Sequence, residues 1–269
     1  MPLVRLKLAS ALLIPAAVAG AHAFGVGNSP VSVAPIAIAA SAASSVAPAA
    51  GGTRAISAAD DNLPARGVDV SHYQGHVDWA AVEQAGVGFA FVKATEGATY
   101  ADPTFRRHWA ALGETAILRG AYHRFRPGRD AAAQAEHFLA VVPVREGDLP
   151  PVLDVEATDG VSDARLIRGV RTWLRIVEAR TGVRPVVYTK PGFRRAHLGA
   201  ALDDYPLWIA EYGVDSPSHA RWTFWQHSEQ GRVPGIQKIV DLDRFNGTRA
   251  ELRSLAISDR AAGEHLAER

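Results

Sequence analysis

Short apolar runs alternate with longer amphipathic segments along the chain from Arg66 onward. Runs rich in β-branched and aromatic residues predict strands, and apolar residues three and four positions apart predict helices. The predicted strands are 67–71, 88–95, 116–125, 150–156, 185–189, 206–212, 222–228 and 238–245. Alternation of this kind is typical of a sheet whose parallel strands are connected by helices.

Helices are predicted between the first five strands and are absent between the last three. They span 78–85, 104–113, 130–142 and 163–180. The last of them has an apolar stripe at helical spacing (Leu166, Val170, Trp173, Leu174 and Val177), and Gly182 is a suitable stop. We therefore predict an α/β fold, an irregular TIM-like (β/α) barrel with functional groups at the C-terminal ends of its strands.

The first 62 residues differ from the rest in composition. Residues 1–23 contain a basic start, an apolar segment and the sequence Ala21-His22-Ala23, the pattern of a cleavable signal peptide. Residues 24–62, rich in Ala, Ser and Pro, predict a disordered linker. The folded domain is predicted at 63–250, followed by a helix or disordered tail at 251–269. The signal peptide predicts a secreted or periplasmic protein, without stable membrane association after cleavage.

Charge and cysteine content exclude several functional classes. Lys and Arg total 29 against 28 for Asp and Glu, so nothing predicts nucleic acid as a partner. The chain has no cysteine and therefore no disulfide, thiol nucleophile or cysteine metal site. His72 and His76 lie in a predicted loop rather than on one helix face, so no metal site is predicted there. We expect a monomer without a cofactor.

The predicted strand 150–156 ends in two acids separated by one residue. Asp154 and Glu156 share one face of the strand, with Cα atoms about 6.6 Å apart, while Leu153 and Val155 lie on the other. Carboxyls this close do not ionise independently, so one of them carries a proton near neutral pH. Such a pair suits acid-catalysed cleavage of a glycosidic bond. The alternative is a solvated strand end whose Asp caps the next helix.

Two further acids lie on strands that a barrel brings together. Asp69 is in the first predicted strand and Asp241 in the eighth, and these strands are neighbours in a closed barrel. Four carboxylates around one opening raise one another's proton affinity, an arrangement that is costly unless function requires it.

Motifs along the predicted barrel resemble glycoside hydrolase family 25, the Chalaropsis type of lysozyme. The matching segments, in the order of the family, are GVDVSHYQG (67–75), FVKATEG (91–97), GAYHRF (120–125), LDVE (153–156), VVYT (186–189), LWIAEY (207–212), FWQHS (224–228) and VDLDRFNG (240–247). The resemblance implies that Glu156 is the proton donor, that Asp154 assists it, and that Asp69 and Asp241 complete an acidic floor.

The sequence departs from the family pattern at two places. Asp243 occupies a position that is often Asn in the family, and we expect Asp241 rather than Asp243 to face the pocket. His123 and Arg124 lie in a stretch that is commonly more aromatic.

Sugar rings have flat apolar faces and polar rims, so a glycan groove needs aromatic platforms and hydrogen-bonding partners. The candidates in the family motifs are Tyr122 and Tyr188 foremost, then Tyr73, Trp208 and Gln226. Packing in the core is the alternative for each aromatic residue. Lys93 and Glu96 are expected either to form an ion pair near the rim or to contact the substrate, and we favour the ion pair.

The resemblance implies a secreted muramidase that hydrolyses the β-1,4 bond between N-acetylmuramic acid and N-acetylglucosamine in peptidoglycan, so the expected partner is the peptidoglycan glycan strand. Two routes stay open: attack by the acetamido oxygen of the substrate, which retains configuration, and attack by an activated water, which inverts it. The other functional hypotheses are a non-catalytic glycan-binding module on the same fold and a metal-dependent hydrolase on a similar barrel.

Overall fold

A computed structural model describes residues 61–258. The predicted signal peptide, nearly all of the predicted linker and residues 259–269 lie outside the described residues. The strands are β1 (Pro64–Val70), β2 (Phe89–Glu96), β3 (Tyr100–Ala101), β4 (Leu118–Arg124), β5 (Val152–Asp154), β6 (Val186–Thr189), β7 (Leu207–Ala210), β8 (Phe224–Gly231) and β9 (Val240–Thr248). The helices are α1 (Trp79–Gln84), α2 (Phe105–Leu112), α3 (Ala131–Val141), α4 (Asp163–Thr181), α5 (Pro191–Phe193) and α6 (Arg249–Ser254).

All strands except β3 form one closed barrel, in the order β1, β2, β4, β5, β6, β7, β8, β9 and back to β1. Pairing is parallel from β1 through β8, whereas β9 is antiparallel to both β8 and β1. β3 pairs with the end of β2 outside the barrel. The predicted irregular TIM-like barrel is confirmed. Its irregularity is the reversed last strand, which follows β8 through a loop without a crossover helix.

Aromatic side chains fill the barrel interior, and two glycines make room for them. Phe89, Phe91 and Phe224 pack there in mutual contact and are fully buried. A Cβ atom on Gly67 would lie 2.3 Å from the Phe89 ring, and one on Gly120 would lie 2.5 Å from the Phe91 ring. The interior is thus a packed core, and the space left for chemistry is at its mouth.

The helices cover the outer face of the barrel. The apolar stripe predicted for 163–180 is the buried face of α4, and Gly182 ends that helix in the left-handed conformation with φ 72°. At the opposite end from the mouth, α6 packs the buried Leu252 against the interior cluster. No helix within residues 61–258 has the length and apolar character needed to span a membrane.

Candidate active site

The four predicted acids meet at one pocket in the barrel mouth. The cavity has a volume of about 200 Å³. Its lining residues are Asp69, Ser71, Tyr73, Gln74, Lys93, Tyr122, Arg124, Asp154, Glu156, Tyr188, Trp208, Gln226 and Asp241. All five predicted sugar-binding residues are among them. The acids come from the C-terminal ends of β1 and β5 and, because β9 is reversed, from the N-terminal end of β9.

Pairing between β1 and β9 places three carboxyls side by side. Asp69 is directly opposite Asp241, and Asp243 is opposite Gly67, on the same face of β9 as Asp241. Asp241 is partly buried and lines the pocket, as predicted, while Asp243 lies below it and is 1% exposed. Burial, with Glu229 as the next contribution, raises the pKa of Asp241 to about 6.

Asp69 and Asp243 are two buried carboxyls that lie close together at the pocket floor. Burial raises the pKa of both carboxyls well above the usual range, and their proximity raises that of Asp69 further. Trp208 donates its indole N–H to one Asp243 oxygen at 2.9 Å. The other Asp243 oxygen is buried without a hydrogen-bond partner among the described residues.

The Asp154–Glu156 pair divides its roles by burial. Leu153 and Val155 pack toward the helices while Asp154 and Glu156 line the pocket, as strand alternation predicts. Asp154 is 6% exposed, and its Oδ1 is buried without a hydrogen-bond partner among the described residues. Burial and the charge of Glu156 raise the pKa of Asp154 to about 8. Asp154 therefore carries the proton of this pair at neutral pH when no substrate is bound.

The alternative interpretation of this strand end, a solvated Asp that caps a helix, is wrong. Asp154 is buried, and the next long helix, α4, begins after Ser162.

Two cations hold Glu156, and sequence reasoning did not identify either of them as a site residue. Arg124 Nη1 lies 2.8 Å from one Glu156 oxygen, and Lys190 Nζ lies 3.0 Å from the other. Arg124 is the last residue of β4, and Lys190 follows β6, so the two side chains approach Glu156 from both neighbours of β5. The signal in the sequence was Arg124 itself, at a position that is commonly more aromatic in the family.

Gln226, Tyr188 and Trp208 are mainly held by other protein groups. Gln226 donates to Asp69 at 2.6 Å and accepts hydrogen bonds from the hydroxyls of Tyr188 at 3.0 Å and Tyr212 at 2.5 Å. Trp208 is 2% exposed and contacts the Tyr188 ring edge-on at 4.7 Å between centroids. These three side chains form the wall that orients the acids.

Tyr73 and Tyr122 are freer to contact a ligand. Tyr73 is 67% exposed and lies against the His72 ring, with 4.1 Å between ring centroids. Tyr122 is partly exposed on the pocket wall. Which of the five residues binds sugar stays a prediction.

The neighbouring polar groups have structural partners. Lys93 and Glu96 form an ion pair of 2.7 Å at the rim. His72 Nδ1 lies 2.9 Å from Asp102 rather than near His76. Within residues 61–258, no group of three or more His, Cys, Asp or Glu side chains is arranged to hold a metal ion.

Comparison with known proteins places this arrangement in a family. Residues 68–236 match the model of the glycosyl hydrolases family 25. The chain is 43% identical over 194 residues to the uncharacterized protein YegX of Escherichia coli, covering 70% of this chain and 71% of that protein. It is 36% identical to Lysozyme M1 of Streptomyces globisporus, covering 73% and 72% of the two chains.

A solved structure shares the fold. The bacterial lysozyme from Streptomyces coelicolor superposes with a TM-score of 0.69 at 35% identity, covering 73% of this chain and 98% of that one. The match to the family model, the sequence relatives and the shared fold all agree with the cluster of acids at the barrel mouth. The chain therefore belongs to glycosyl hydrolase family 25 and is a glycoside hydrolase.

Proposed function

We propose that this chain is a secreted muramidase that hydrolyses the β-1,4 bond between N-acetylmuramic acid and N-acetylglucosamine in bacterial peptidoglycan. The observation that carries the proposal is the single pocket lined by Asp69, Asp154, Glu156 and Asp241, in which one pair of acids holds a proton at neutral pH. The relatives named as lysozymes support the choice of peptidoglycan as the substrate. A non-catalytic glycan-binding module would gain nothing from this cluster of buried acids.

In this mechanism Glu156 protonates the glycosidic oxygen as the bond breaks. Asp154, beside it, carries the proton of the pair when no substrate is bound. The ionised Asp241 stabilises the positive charge that develops on the sugar ring. Gln226 keeps Asp69 in place, and the raised pKa values of Asp69 and Asp243 favour the neutral form of these two neighbouring buried acids. Tyr122 and Tyr73 provide apolar surfaces for the sugar faces.

The anomeric carbon can be attacked by two routes, which differ in the configuration of the product. Attack by the acetamido oxygen of the substrate, oriented by Asp154, gives retention, whereas direct attack by an activated water gives inversion. The first anomer observed by NMR during hydrolysis of a defined glycan distinguishes them.

The decisive experiment replaces the proton donor by its amide. We expect Glu156→Gln to lower kcat at least about 100-fold in clearing purified cell wall, because general acid catalysis contributes that much. Arg180→Gln is a matched surface control, since Arg180 pairs with Glu136 on the outer helices, 3.3 Å away, and should retain full activity. Equal activity of wild type and Glu156→Gln would reject the role of Glu156.

Mass spectrometry of the released muropeptides tests the bond. A muramidase leaves N-acetylmuramic acid at the reducing end, and a reducing-end N-acetylglucosamine would overturn the assignment.

Secretion is supported by the signal pattern of residues 1–23. N-terminal sequencing of the exported protein should begin at Phe24, after Ala21-His22-Ala23. Full-length protein retained in the cytoplasm would contradict this part of the proposal.

A further inference from the structure

The free enzyme holds Glu156 in a state that does not suit a proton donor. Its two oxygens pair with Arg124 and Lys190, so neither oxygen is free to contact a glycosidic oxygen. The proton of the pair resides instead on Asp154. Something must therefore separate Glu156 from these cations before it can protonate a glycosidic oxygen.

Arg124 and Lys190 are suited to exchange partners. Within the described residues, Glu156 is the only acid within 4.0 Å of either cation. Their side chains are 34% and 51% exposed, against 15% for Glu156, so both cations are more accessible to solvent than the acid that they hold. Arg and Lys have long side chains whose charged ends can turn toward a ligand while their stems stay packed.

Two other cations near the mouth, Lys93 and Arg126, have acidic partners of their own. Lys93 pairs with Glu96, and Arg126 pairs with Glu96 at 3.1 Å and with Asp159 at 3.5 Å. Arg124 has the planar donor fork that matches a carboxylate, and Lys190 adds a second positive charge on the other side of β5. Together they form a site for one carboxylate, which Glu156 occupies when no substrate is bound.

We propose that Arg124 and Lys190 form a subsite for a substrate carboxylate carried on the lactyl arm of muramic acid, and that its binding releases Glu156 to act as the proton donor. As the substrate carboxylate takes over both cations, the proton moves from the Asp154 carboxyl to the freed Glu156 carboxylate. Asp154 is left ionised and Glu156 becomes the acid, so charge and protons balance. The pair makes the enzyme selective for anionic glycan over neutral chitin-like chains.

This inference rests on the proposed function, and the carboxylate has two sources. In a glycan strand without peptide it is the lactyl carboxylate itself, and in a strand with its peptide it is a carboxylate of that peptide. Four substrates separate these cases: each kind of strand with free carboxylates, and each after conversion of its carboxylates to methylamides.

For wild type we expect methylamidation to lower kcat/KM at least about tenfold, because it removes a charge-assisted hydrogen bond between the substrate carboxylate and the cations. The loss should appear mainly in kcat, because the carboxylate releases the acid, whereas simple binding would change KM alone. An effect on peptide-free strands identifies the lactyl carboxylate as the ligand, and an effect confined to peptide-bearing strands identifies the peptide.

The double variant Arg124→Gln/Lys190→Gln should cleave free and methylamidated strands within about twofold of each other, since it lacks the charges that discriminate. Arg124→Lys should keep part of the discrimination, and Arg180→Gln all of it. Circular dichroism confirms that each variant is folded.

Equal cleavage of free and methylamidated strands by wild type, or full discrimination by the double variant, would overturn the subsite. Failure of the muramidase proposal looks different, because wild type would then cleave none of the four substrates, or Glu156→Gln would cleave them as well as wild type does.

Discussion

Asp154 is a buried acid to which the protein offers little compensation. One of its oxygens is buried without a donor among the described residues, and burial together with Glu156 raises its pKa to about 8. An acid in such a place destabilises the fold whenever the pH favours its ionised form. The residue therefore serves chemistry at the expense of stability, as active-site groups commonly do.

Replacing Asp154 should stabilise the protein in a pH-dependent way. Between pH 3.8 and about 8 the unfolded chain releases the Asp154 proton while the folded chain retains it, so wild-type stability falls as pH rises, by up to about 1.4 kcal/mol per pH unit. Asp154→Asn removes this dependence. At pH 7 we expect the free energy of unfolding of Asp154→Asn to exceed that of wild type by a few kcal/mol, so that it unfolds at a higher urea concentration. At pH 4 the two proteins should differ little. The variant should lose activity.

Urea unfolding of both proteins at pH 4 and pH 7 measures the effect. An identical change in the two proteins between these pH values would show that Asp154 titrates normally in the folded state.

At the scale of elements, sequence patterns predict the limits of a helix or strand, which depend on one segment. They miss the direction in which two strands pair, which depends on both segments and on the loop between them. The apolar stripe and Gly182 gave the limits of α4 to within one residue. The strand predicted at 150–156 is shorter, Val152–Asp154. It begins two residues later because Pro150 and Pro151 cannot donate ladder hydrogen bonds, and it ends two residues earlier, at Asp154. The reversal of β9 depends on the length and path of a loop, which strand patterns do not reveal.

The same distinction applies to the site. The four acids are visible in the sequence because each lies in a recognisable motif. The ion pairs of Arg124 and Lys190 with Glu156 are not, because they join the ends of β4 and β6 across β5. The raised pKa values of Asp69 and Asp243 likewise depend on the register of β1 against β9.

Close contact between β1 and β2 makes Gly67 sensitive to substitution. A Cβ atom there would lie 2.3 Å from the fully buried Phe89 ring, so we expect Gly67→Ala to destabilise the protein by about 1–3 kcal/mol. Gly192→Ala is the matched control, because nothing lies within 4 Å of the added Cβ atom, and it should change stability by less than about 0.5 kcal/mol.

Chemical denaturation measures both variants. Phe89→Leu in the Gly67→Ala background should recover part of the loss if the ring is the cause. Equal stability of Gly67→Ala and wild type would mean that β1 can shift away from β2.

At the scale of the whole molecule, barrel closure separates a packed base from a charged mouth. Aromatic side chains fill the interior and Leu252 of α6 covers its lower end, whereas the four clustered acids lie at the mouth. Closure also brings Asp69 and Asp241, which are distant in sequence, into register with each other. The pH response of the enzyme is therefore a property of the assembled mouth rather than of any single strand.

We expect kcat/KM on glycan strands to be highest between about pH 6 and about pH 8. Below about pH 6, Asp241 takes up a proton and no longer offers the negative charge that stabilises the sugar cation. Above about pH 8, the Asp154–Glu156 pair loses its remaining proton, and no acid is left to protonate the leaving oxygen. Rates measured at constant ionic strength should show both declines, with circular dichroism confirming that the protein is folded throughout.

Asp241→Asn should reduce the maximum and remove the decline below pH 6 while leaving the decline above pH 8, because the two limbs belong to different groups. A wild-type rate that stays constant from pH 7 to pH 9 would contradict the proton reserve on Asp154.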